Sequence, residues 1–427
     1  MQLLQQIAFF VLASVAIYLF SRRILRIRRN ILLGKEADYT DNRPARWRNL
    51  LLLAFGQKKM FANPLVAVMH FVIYAGFIII NLEVLEIILD GLLGTHRLFA
   101  RPLGGLYPFL INAFEWLALG VIAACTIFLV RRNILKIKRF ISHDLDGWPR
   151  SDANYILLSE IFLMSLFLLM NAADPDFSFA VSQWLKPLFA GWQPHALHLF
   201  ERVCWWLHIA GIFAFLNYLP FSKHLHILLA FPNAWYARLQ PPGKITNMPA
   251  IQQEVLYAMQ PELAPATAAP PASFGAKDVT DLSWRNLLDA YSCTECGRCS
   301  VACPATATGK ILSPRKIMMS TRDRLEELGR ELDAGRKEED AAAGKTLLYQ
   351  YISVEELRAC TTCNACVQAC PVSISPLEII LELRRSLIME ESNAPQEWNA
   401  LFGNVENNFA PWKFSPDDRD AWVQPAS

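Results

Sequence analysis

The sequence predicts an all-α protein made of two parts, a bundle of five membrane-spanning helices and a smaller helical domain that follows it. Two observations support this prediction: five long apolar segments occupy the first half of the chain, and two copies of one cysteine array occupy the second. Of the 427 residues, 53% are hydrophobic and only 19% are charged. The net charge of +2 gives no indication of nucleic-acid binding.

The five apolar segments cover about residues 3–20, 62–89, 108–130, 155–172 and 198–219. Each is long enough to cross the hydrocarbon core of a bilayer as a helix. The first segment lacks a basic front, and the stretch "SRRILRIRRN" follows it in place of a small-residue cleavage site. We therefore expect a retained membrane helix there and not a cleaved signal peptide.

Basic residues are distributed unevenly between the loops of this bundle. Residues 21–60 contain eleven Lys and Arg and the loop after the third segment contains six, whereas the two opposite loops contain three. Because basic loops stay in the cytoplasm, we expect the N-terminus outside and the C-terminal half inside. The expected location is the bacterial inner membrane, as a multi-pass protein whose cysteine-rich half lies in the reducing cytoplasm.

Four histidines lie in or beside the membrane segments. His70 is in the second segment, His208 is in the fifth, and His224 and His226 follow where the fifth leaves the membrane. A single histidine on an apolar helix is usually a core residue. Several on two helices indicate axial ligands of a b-type haem, since neutral imidazole is the usual ligand in helical bundles.

Helical geometry sorts these candidate ligands. His208 and His226 are 18 residues apart, so on one straight helix they would share a face at a separation of roughly 27 Å. His224 would be rotated by roughly 160° from His208, and Pro220 could kink the helix between them. His70 has the depth to meet His224 or His226. The pattern predicts one haem b and leaves room for a second, although the second segment offers His208 no histidine partner.

Three carboxylates, Glu83, Glu86 and Asp90, follow at helical spacing near the outer end of the second segment. One interpretation is a helix end wetted by solvent. The other is a proton path that serves quinone chemistry. The sequence alone leaves both open.

Two cysteine arrays, "SCTECGRCSVACP" and "ACTTCNACVQACP", share the pattern C-x2-C-x2-C-x3-C-P. In this pattern three thiolates bind one [4Fe–4S] cluster and the fourth cysteine binds the other cluster. A zinc site would need only C-x2-C pairs and would leave the third cysteine and the proline unexplained. The predicted ligand sets are Cys293, Cys296, Cys299 and Cys370 for one cluster, and Cys360, Cys363, Cys366 and Cys303 for the other.

The segments around the arrays carry helix-start signals. Ser313 and Ser375 each precede a proline, and Ser353 is followed by Glu356 in a capping box. We therefore expect a helical two-cluster ferredoxin domain. The predicted domains are a membrane domain at 1–231, an Ala- and Pro-rich linker at 232–276, the ferredoxin domain at 277–390 and a tail at 391–427.

The arrays in this helical setting resemble the C subunit of heterodisulfide reductase. The membrane half, with His70, His208 and "FSKHLHI", resembles the nitrate reductase gamma-subunit type of cytochrome b, so a five-helix cytochrome b-like bundle is implied. This order of parts is similar to the membrane electron-transferring-flavoprotein dehydrogenases and related bacterial Fe–S oxidoreductases. Two departures stand out: the second segment holds one histidine where the cytochromes have two, and no further cysteine-rich module follows the arrays.

The resemblance implies an electron-transfer subunit that links a cytoplasmic redox partner, a CCG-module or flavoprotein subunit, to membrane quinone. Its carriers would be two [4Fe–4S] clusters and haem b, with the catalytic module on another chain and no catalytic residue on this one. An alternative is a subunit of a heterodisulfide or sulfur-compound reductase. A further alternative of another class is a zinc-bound adaptor without redox function.

Overall fold

The computed structural model describes residues 2–241, 243–245, 247–265, 273–337, 344–413, 415–418 and 420–423. These residues form helices and turns, and none of them forms a β-strand. The α-helices are α1 (Gln2–Ile31), α2 (Arg43–Asn49), α3 (Pro64–Leu93), α4 (Ala100–Leu103), α5 (Leu106–Leu129), α6 (Trp148–Ala173), α7 (Pro194–Tyr218), α8 (His226–Trp235), α9 (Pro249–Met259), α10 (Trp284–Ser292), α11 (Arg298–Ala302), α12 (Pro304–Ala307), α13 (Pro314–Asp333), α14 (Val354–Ala359), α15 (Ala365–Ala369), α16 (Pro376–Arg385) and α17 (Gln396–Asn408).

Five of these helices, α1, α3, α5, α6 and α7, are long and apolar enough to cross a membrane, with mean hydropathies between 1.4 and 2.3. The prediction of five such helices is confirmed. They extend beyond the apolar segments because their polar ends are also helical: α1 continues to Ile31 through its arginines, and α6 begins at Trp148 with Pro149 in its first turn.

The five long helices pack against one another in a definite order. Helices α3, α5, α6 and α7 pack in sequence, and α1 packs against both α3 and α7. Small residues permit close approach, since a Cβ added at Gly76 would lie 2.6 Å from the side chain of Val121, and one added at Gly211 would lie 2.7 Å from that of Leu163. Phe9 and Phe167 fill the interior and are completely buried.

The helix that carries His208 ends before it reaches His226. Helix α7 ends at Tyr218, two short 3₁₀ turns follow, and α8 begins at His226. The straight helix that would place His208 and His226 on a common face is therefore not formed, and the interruption lies at Pro220, where the sequence allowed a kink. Pro220 lacks the N–H that would continue the helical hydrogen bonds, and α8 instead packs against α10 of the second domain.

The second domain begins each major helix as its sequence predicts. Ser313 caps α13, Ser375 caps α16, and Ser353 forms a capping box with Glu356 at α14. The core of the domain contains Leu282, Leu287, Leu325, Ile379 and Leu383, all completely buried. Residues 266–272, which include most of the Ala- and Pro-rich stretch of the predicted linker, lie outside the described residues.

The second domain sits directly on the end of the bundle that carries the basic loops. Arg23 and Arg29 near the end of α1 form ion pairs with Glu326 and Asp333 of α13, at 2.6 and 2.5 Å. Asn30 donates a hydrogen bond to the hydroxyl of Tyr291 at 3.0 Å. We call this end of the bundle the proximal end and the opposite end the distal end.

Candidate functional site

The two cysteine arrays adopt the same local backbone. Helices α10 and α14 each end one residue before the first cysteine of an array. Glu295 and Thr362 then take positive φ angles of 52° and 57°, and Gly297 and Asn364 take angles of 72° and 61°. Such left-handed residues turn successive backbone N–H groups toward one concavity, which suits an anionic centre. The shared conformation follows from the shared spacing.

The first array and the last cysteine of the second array face one cavity. Cys293, Cys296, Cys299 and Cys370 all line it, together with Met318 and Ile374. These four cysteines are the set that the sequence assigns to one cluster. Burial raises the pKa of Cys293 and of Cys370 to about 12. The backbone N–H of Ile374 donates to the sulfur of Cys370 at 3.3 Å, a contact of the kind that tunes a cluster.

The cysteines of the second set lie close enough to one another to shift each other's pKa. Burial, together with the neighbouring Cys360, Cys303 and Cys363, raises the pKa of Cys366 to about 12. Cys303, which belongs to the first array in sequence, therefore lies within reach of the second array. Helix α11 belongs to the first array and α15 to the second, and the packing of these two helices brings Cys303 to the second array. Cys363 is exposed, whereas Cys293, Cys303, Cys366 and Cys370 are buried.

Sulfur ligands of a zinc ion stand about 2.3 Å from the metal, so they must approach one another closely. Among the residues described, no group of three or more His, Cys, Asp or Glu side chains is close enough to hold a single ion. A [4Fe–4S] cube needs its ligands farther apart. The four cysteines that line the cavity are the ones that the cluster assignment groups together, whereas a zinc site gives no role to the third cysteine of each array.

Three of the four predicted haem histidines meet at the proximal end of the bundle. The rings of His224 and His226 have centroids 5.5 Å apart. Burial, together with the neighbouring His226 and His70, lowers the pKa of His224 to about 3. His70 thus comes within electrostatic reach of both, as its depth in the membrane predicts.

The hydrogen bonds of these imidazoles suit iron ligation. The Nδ1 atom of His226 lies 2.9 Å from the carbonyl oxygen of Lys223 and must donate to it, which leaves Nε2 with a free lone pair. The Nδ1 atom of His70 lies 3.0 Å from Oε1 of Gln57. Ligating histidines commonly have their second nitrogen fixed in this way. The residues present therefore fit an axially ligated haem.

His208 lies apart from the other three. It is 1% exposed, its Nδ1 donates to the carbonyl oxygen of Leu163 at 3.0 Å, and its ring packs near that of Phe167. Its Nε2 is free to ligate by the same argument. His208 stays inside the bundle, ten residues before α7 ends at Tyr218.

A polar bridge that sequence reasoning missed joins the first array to the proximal histidines. The ammonium group of Lys223 pairs with Glu295, whose other oxygen accepts from Arg322 at 2.8 Å. Lys223 is also the residue whose carbonyl accepts from His226. Lys59, next to α3, donates to the carbonyl oxygen of Cys370 at 3.0 Å. The signal available in the sequence was Glu295 itself, a charged residue between two cysteines.

The carboxylates at the distal end are buried, so the interpretation as a solvent-wetted helix end is wrong. Glu83, Glu86 and Asp90 are 3, 3 and 7% exposed. Glu86 accepts from the hydroxyl of Tyr107 at 2.9 Å, and Asp90 accepts from the backbone N–H of Arg97 at 2.8 Å. Packing against the α3–α5 connection removes these groups from water.

Arg97 organises this distal network, and sequence reasoning did not single it out. Its guanidinium donates to Asp174 at 2.7 Å and to Asn171 at 2.9 Å. Asn171 in turn donates to Glu115, which also accepts from two backbone N–H groups after α6. An arginine in a short loop between apolar helices was the available signal, and only the fold shows its partners.

Comparison with known proteins identifies the second domain. Residues 292–374 match the 4Fe-4S dicluster domain family. The chain therefore carries a ferredoxin-type 4Fe–4S domain behind five apolar helices, and its cysteine pattern allows at most two clusters. These features place it in the class of membrane-anchored iron–sulfur electron-transfer proteins. No solved structure matches the chain.

Particular relatives agree with this class. The probable iron-sulfur-binding oxidoreductase FadF of Bacillus subtilis is 26% identical over 441 residues, which cover 97% of this chain and 60% of FadF. EtfAB:quinone oxidoreductase of Syntrophomonas wolfei is 27% identical over 429 residues, which cover 92% of this chain and 56% of that protein. The chain thus spans less than two thirds of the length of these two relatives.

The resemblance to heterodisulfide reductase is also confirmed over a shorter stretch. The D subunit of dihydromethanophenazine:CoB--CoM heterodisulfide reductase from Methanosarcina acetivorans is 26% identical over 152 residues, which cover 35% of this chain and 36% of that protein. The resemblance of the membrane half to a cytochrome b stays a prediction.

Proposed function

We propose that this protein is a membrane-anchored electron-transfer subunit that passes electrons between a cytoplasmic redox partner and membrane quinone. Two [4Fe–4S] clusters and haem b supply the one-electron carriers that stepwise quinone chemistry needs. The observation that carries the proposal is the placement of the first cysteine array directly on the proximal end of the bundle, where His70, His224 and His226 meet.

The ligands follow from this placement. Cys293, Cys296, Cys299 and Cys370 hold the cluster that adjoins the membrane, and Cys360, Cys363, Cys366 and Cys303 hold the other. His70 with His224 or His226 holds a proximal haem, and His208 is the candidate ligand for a second. The other residues at the proximal end position these groups: Lys223 fixes the tautomer of His226, and Lys59 anchors the backbone of Cys370.

The burial of the two arrays suggests the order of electron flow. The first array is enclosed by loops of the bundle, whereas the second reaches the surface at Cys363. The cluster of the second array is therefore the one that exchanges electrons with the soluble partner, a flavoprotein or CCG-module subunit. The basic residues in the loops at the proximal end favour a cytoplasmic position for this domain, with the N-terminus outside the inner membrane.

A second candidate function is electron transfer in a heterodisulfide or sulfur-compound reductase complex. It is favoured by the similarity to the D subunit of heterodisulfide reductase over 152 residues. The carriers are the same and only the soluble partner differs. Co-purification of the partner distinguishes the two, since a flavin-containing partner supports the first function and a partner that reduces a disulfide supports the second.

The test of the proposal is a cofactor analysis of the purified full-length chain in detergent. We expect acid-labile sulfide, about eight cluster iron atoms, and the absorption bands of a b-type haem. Replacing His70, His224 or His226 by alanine should remove or shift the haem bands, whereas His143→Ala, at a fully exposed loop residue, should leave them unchanged. Haem bands that survive all three substitutions would contradict the proposed proximal site.

A further inference from the structure

The distal end of the bundle contains a cavity that the cofactors do not account for. It has a volume of about 310 Å³ and lies between the start of α1, the end of α3, the loop after α6 and the start of α7. Its lining combines aromatic and titratable side chains, of which the argument uses Phe9, Trp206, His96, Asp174 and Glu201. This combination suits a planar, proton-exchanging ligand.

The aromatic wall is assembled from two helices. The ring centroids of Trp205 and Trp206 are 5.2 Å apart, and those of Phe9 and Trp206 are 6.3 Å apart. Phe9 is held tightly, because a Cβ added at Gly91 would lie 2.6 Å from its ring. A flat ring that enters this cavity meets aromatic faces and edges, with which offset stacking is favourable.

The cavity also contains a polar group that the protein leaves unsatisfied. Glu201 is 5% exposed, and its Oε1 atom has no hydrogen-bond partner in the described residues. A buried carboxyl oxygen without a partner destabilises the protein unless a ligand or water pairs with it. An incoming ligand that offers or accepts a hydrogen bond would satisfy this atom.

A second titratable pair lines the cavity. Nε2 of His96 lies 3.5 Å from Asp174, and Asp174 accepts a hydrogen bond from Arg97 at 2.7 Å. The hydrogen bond to Asp174 raises the pKa of His96. His96 is thus oriented by a carboxylate that is itself fixed, while its side chain is about half exposed and can exchange protons with water.

We propose that this distal cavity binds the ring of a quinone, with Glu201 and His96 as the groups that exchange protons with its two oxygens. The inference rests on the proposed function and locates the quinone at the end of the bundle opposite the clusters. Reduction of the quinone takes two electrons, which arrive from the cluster side, and two protons, one from the Glu201 carboxyl and one from the His96 imidazolium. Both groups regain protons from the aqueous side on which His96 is exposed. In the reverse direction the same groups accept the protons.

The position of His208 supports this location. It is three residues beyond Trp205 on α7, a rise of roughly 4.5 Å along the helix axis, and it is buried in the bundle between the cavity and the proximal end. A redox centre at His208 would bring electrons close to the cavity. Electron transfer between clusters and quinone would then cross the whole bundle.

The experiment uses the full-length chain in detergent or in lipid vesicles, with its cofactors first reduced by dithionite and the excess dithionite removed. Decyl-ubiquinone and menadione are the electron acceptors, and an azidoquinone is the photoaffinity probe. In the wild-type protein, we expect the azidoquinone to label peptides from the start of α1 or α7, and excess menadione to protect them. Glu201→Gln and His96→Asn should each lower quinone turnover at least tenfold. Glu160→Gln, which changes a buried carboxyl of α6 away from the cavity, is the matched control and should keep most of the turnover.

The outcomes separate this inference from the proposed function. Cluster and haem spectra equal to wild type establish that the variants are folded. If the wild type reduces quinone but the label maps to the proximal end, or if Glu201→Gln behaves like Glu160→Gln, the distal site is wrong and the electron-transfer function stands. If the wild type neither reduces nor binds any quinone, both are wrong.

Discussion

The two cysteine arrays have the same spacing and the same pair of left-handed residues, yet their surroundings differ. The first array contacts the bundle, where Lys59, Arg139 and Asp144 come from loops that join the membrane helices. The second array contacts the membrane half only at its end, where the carbonyl oxygen of Cys370 accepts from Lys59. Its other cysteines lie among helices of their own domain and reach the surface at Cys363. Spacing therefore determines which cysteines can share a cluster, whereas the tertiary contacts determine what each cluster can exchange electrons with.

The residues between the cysteines explain part of the difference. At the same left-handed position, the first array has Glu295, which binds Lys223 and Arg322, and the second has Thr362, whose hydroxyl donates to the adjacent carbonyl of Thr361. A charged residue ties the first loop to the bundle and to α13. The short polar residue Thr362 makes no equivalent ion pair, so its loop stays accessible to a soluble redox partner.

The largest effect is expected from removing one ligand of each array. Cys296→Ser and Cys363→Ser should each lower partner-driven quinone reduction at least 100-fold, because both clusters lie on one path. They should differ in a second measurement. With Cys363→Ser, low-temperature paramagnetic resonance should still show a cluster whose relaxation is enhanced by a nearby haem, whereas with Cys296→Ser this enhancement should be lost. Enhancement that survives Cys296→Ser would reverse the proposed order.

The next effect concerns the arginine that ties each array to its surroundings. Arg315 is 1% exposed and donates to Asp144 at 2.9 Å and to the carbonyl of Arg139 at 2.8 Å, so it joins the first array to a bundle loop. Arg315→Met leaves Asp144 without its partner and should cost about 3–5 kcal/mol. The expected result is a domain that separates from the bundle and exposes the interface to protease.

The matched variant is Arg384→Met in the second array. Arg384 donates to the carbonyl oxygens of Leu357 and Cys360, both within its own domain. Its loss should cost about 1–2 kcal/mol and leave the docking intact. Equal protease sensitivity in the two variants would mean that Arg315 does not hold the interface.

Much of the fold was predictable from local patterns, and most of the interface was not. The five membrane helices follow from apolar length, and the caps at Ser313, Ser353 and Ser375 follow from their own sequence. Those signals act within one helix. The end of α7 at Tyr218 depends on the packing of α8 against α10. The sequence of α7 contains no information about that stabilising contact.

The candidate site divides in the same way. The cysteine spacing predicts which thiols share a cavity because it acts over a few residues and one internal repeat. The meeting of His70 with His224 and His226 required only the depth of each residue in the membrane. The pairing of Lys223 with Glu295 and that of Arg97 with Asp174 join residues more than 70 positions apart, and one sequence carries no signal for such pairs.

A smaller effect is expected from acidifying the docking interface. Burial opposes ionisation of Asp144, but hydrogen bonds from Arg315 and Ser142 and the charge of Arg315 lower its pKa below the ordinary value of 3.8. The stabilisation is therefore complete above pH 3.8 and is lost as the pH falls through the lowered pKa. We expect docking stability to decrease in that range, measured as the thermal unfolding of the domain against pH. Asp144→Asn should remove this acid dependence, and Asp146→Asn, at a half-exposed carboxylate, should not.

The smallest effect is expected at the left-handed position that the arrays share. Thr362 is β-branched and has a φ of 57°, a conformation that disfavours such residues by roughly 1–2 kcal/mol and that glycine adopts freely. Thr362→Gly relieves this strain but enlarges the freedom of the unfolded chain, so we expect a gain of at most about 1 kcal/mol in the free energy of unfolding. Glu295→Gly at the equivalent position loses the bonds to Lys223 and Arg322 and should destabilise the protein. Chemical denaturation measures the free energy of unfolding of the two variants. Equal shifts of the same sign in that free energy would show that the contacts of Glu295 with Lys223 and Arg322 do not stabilise the first array.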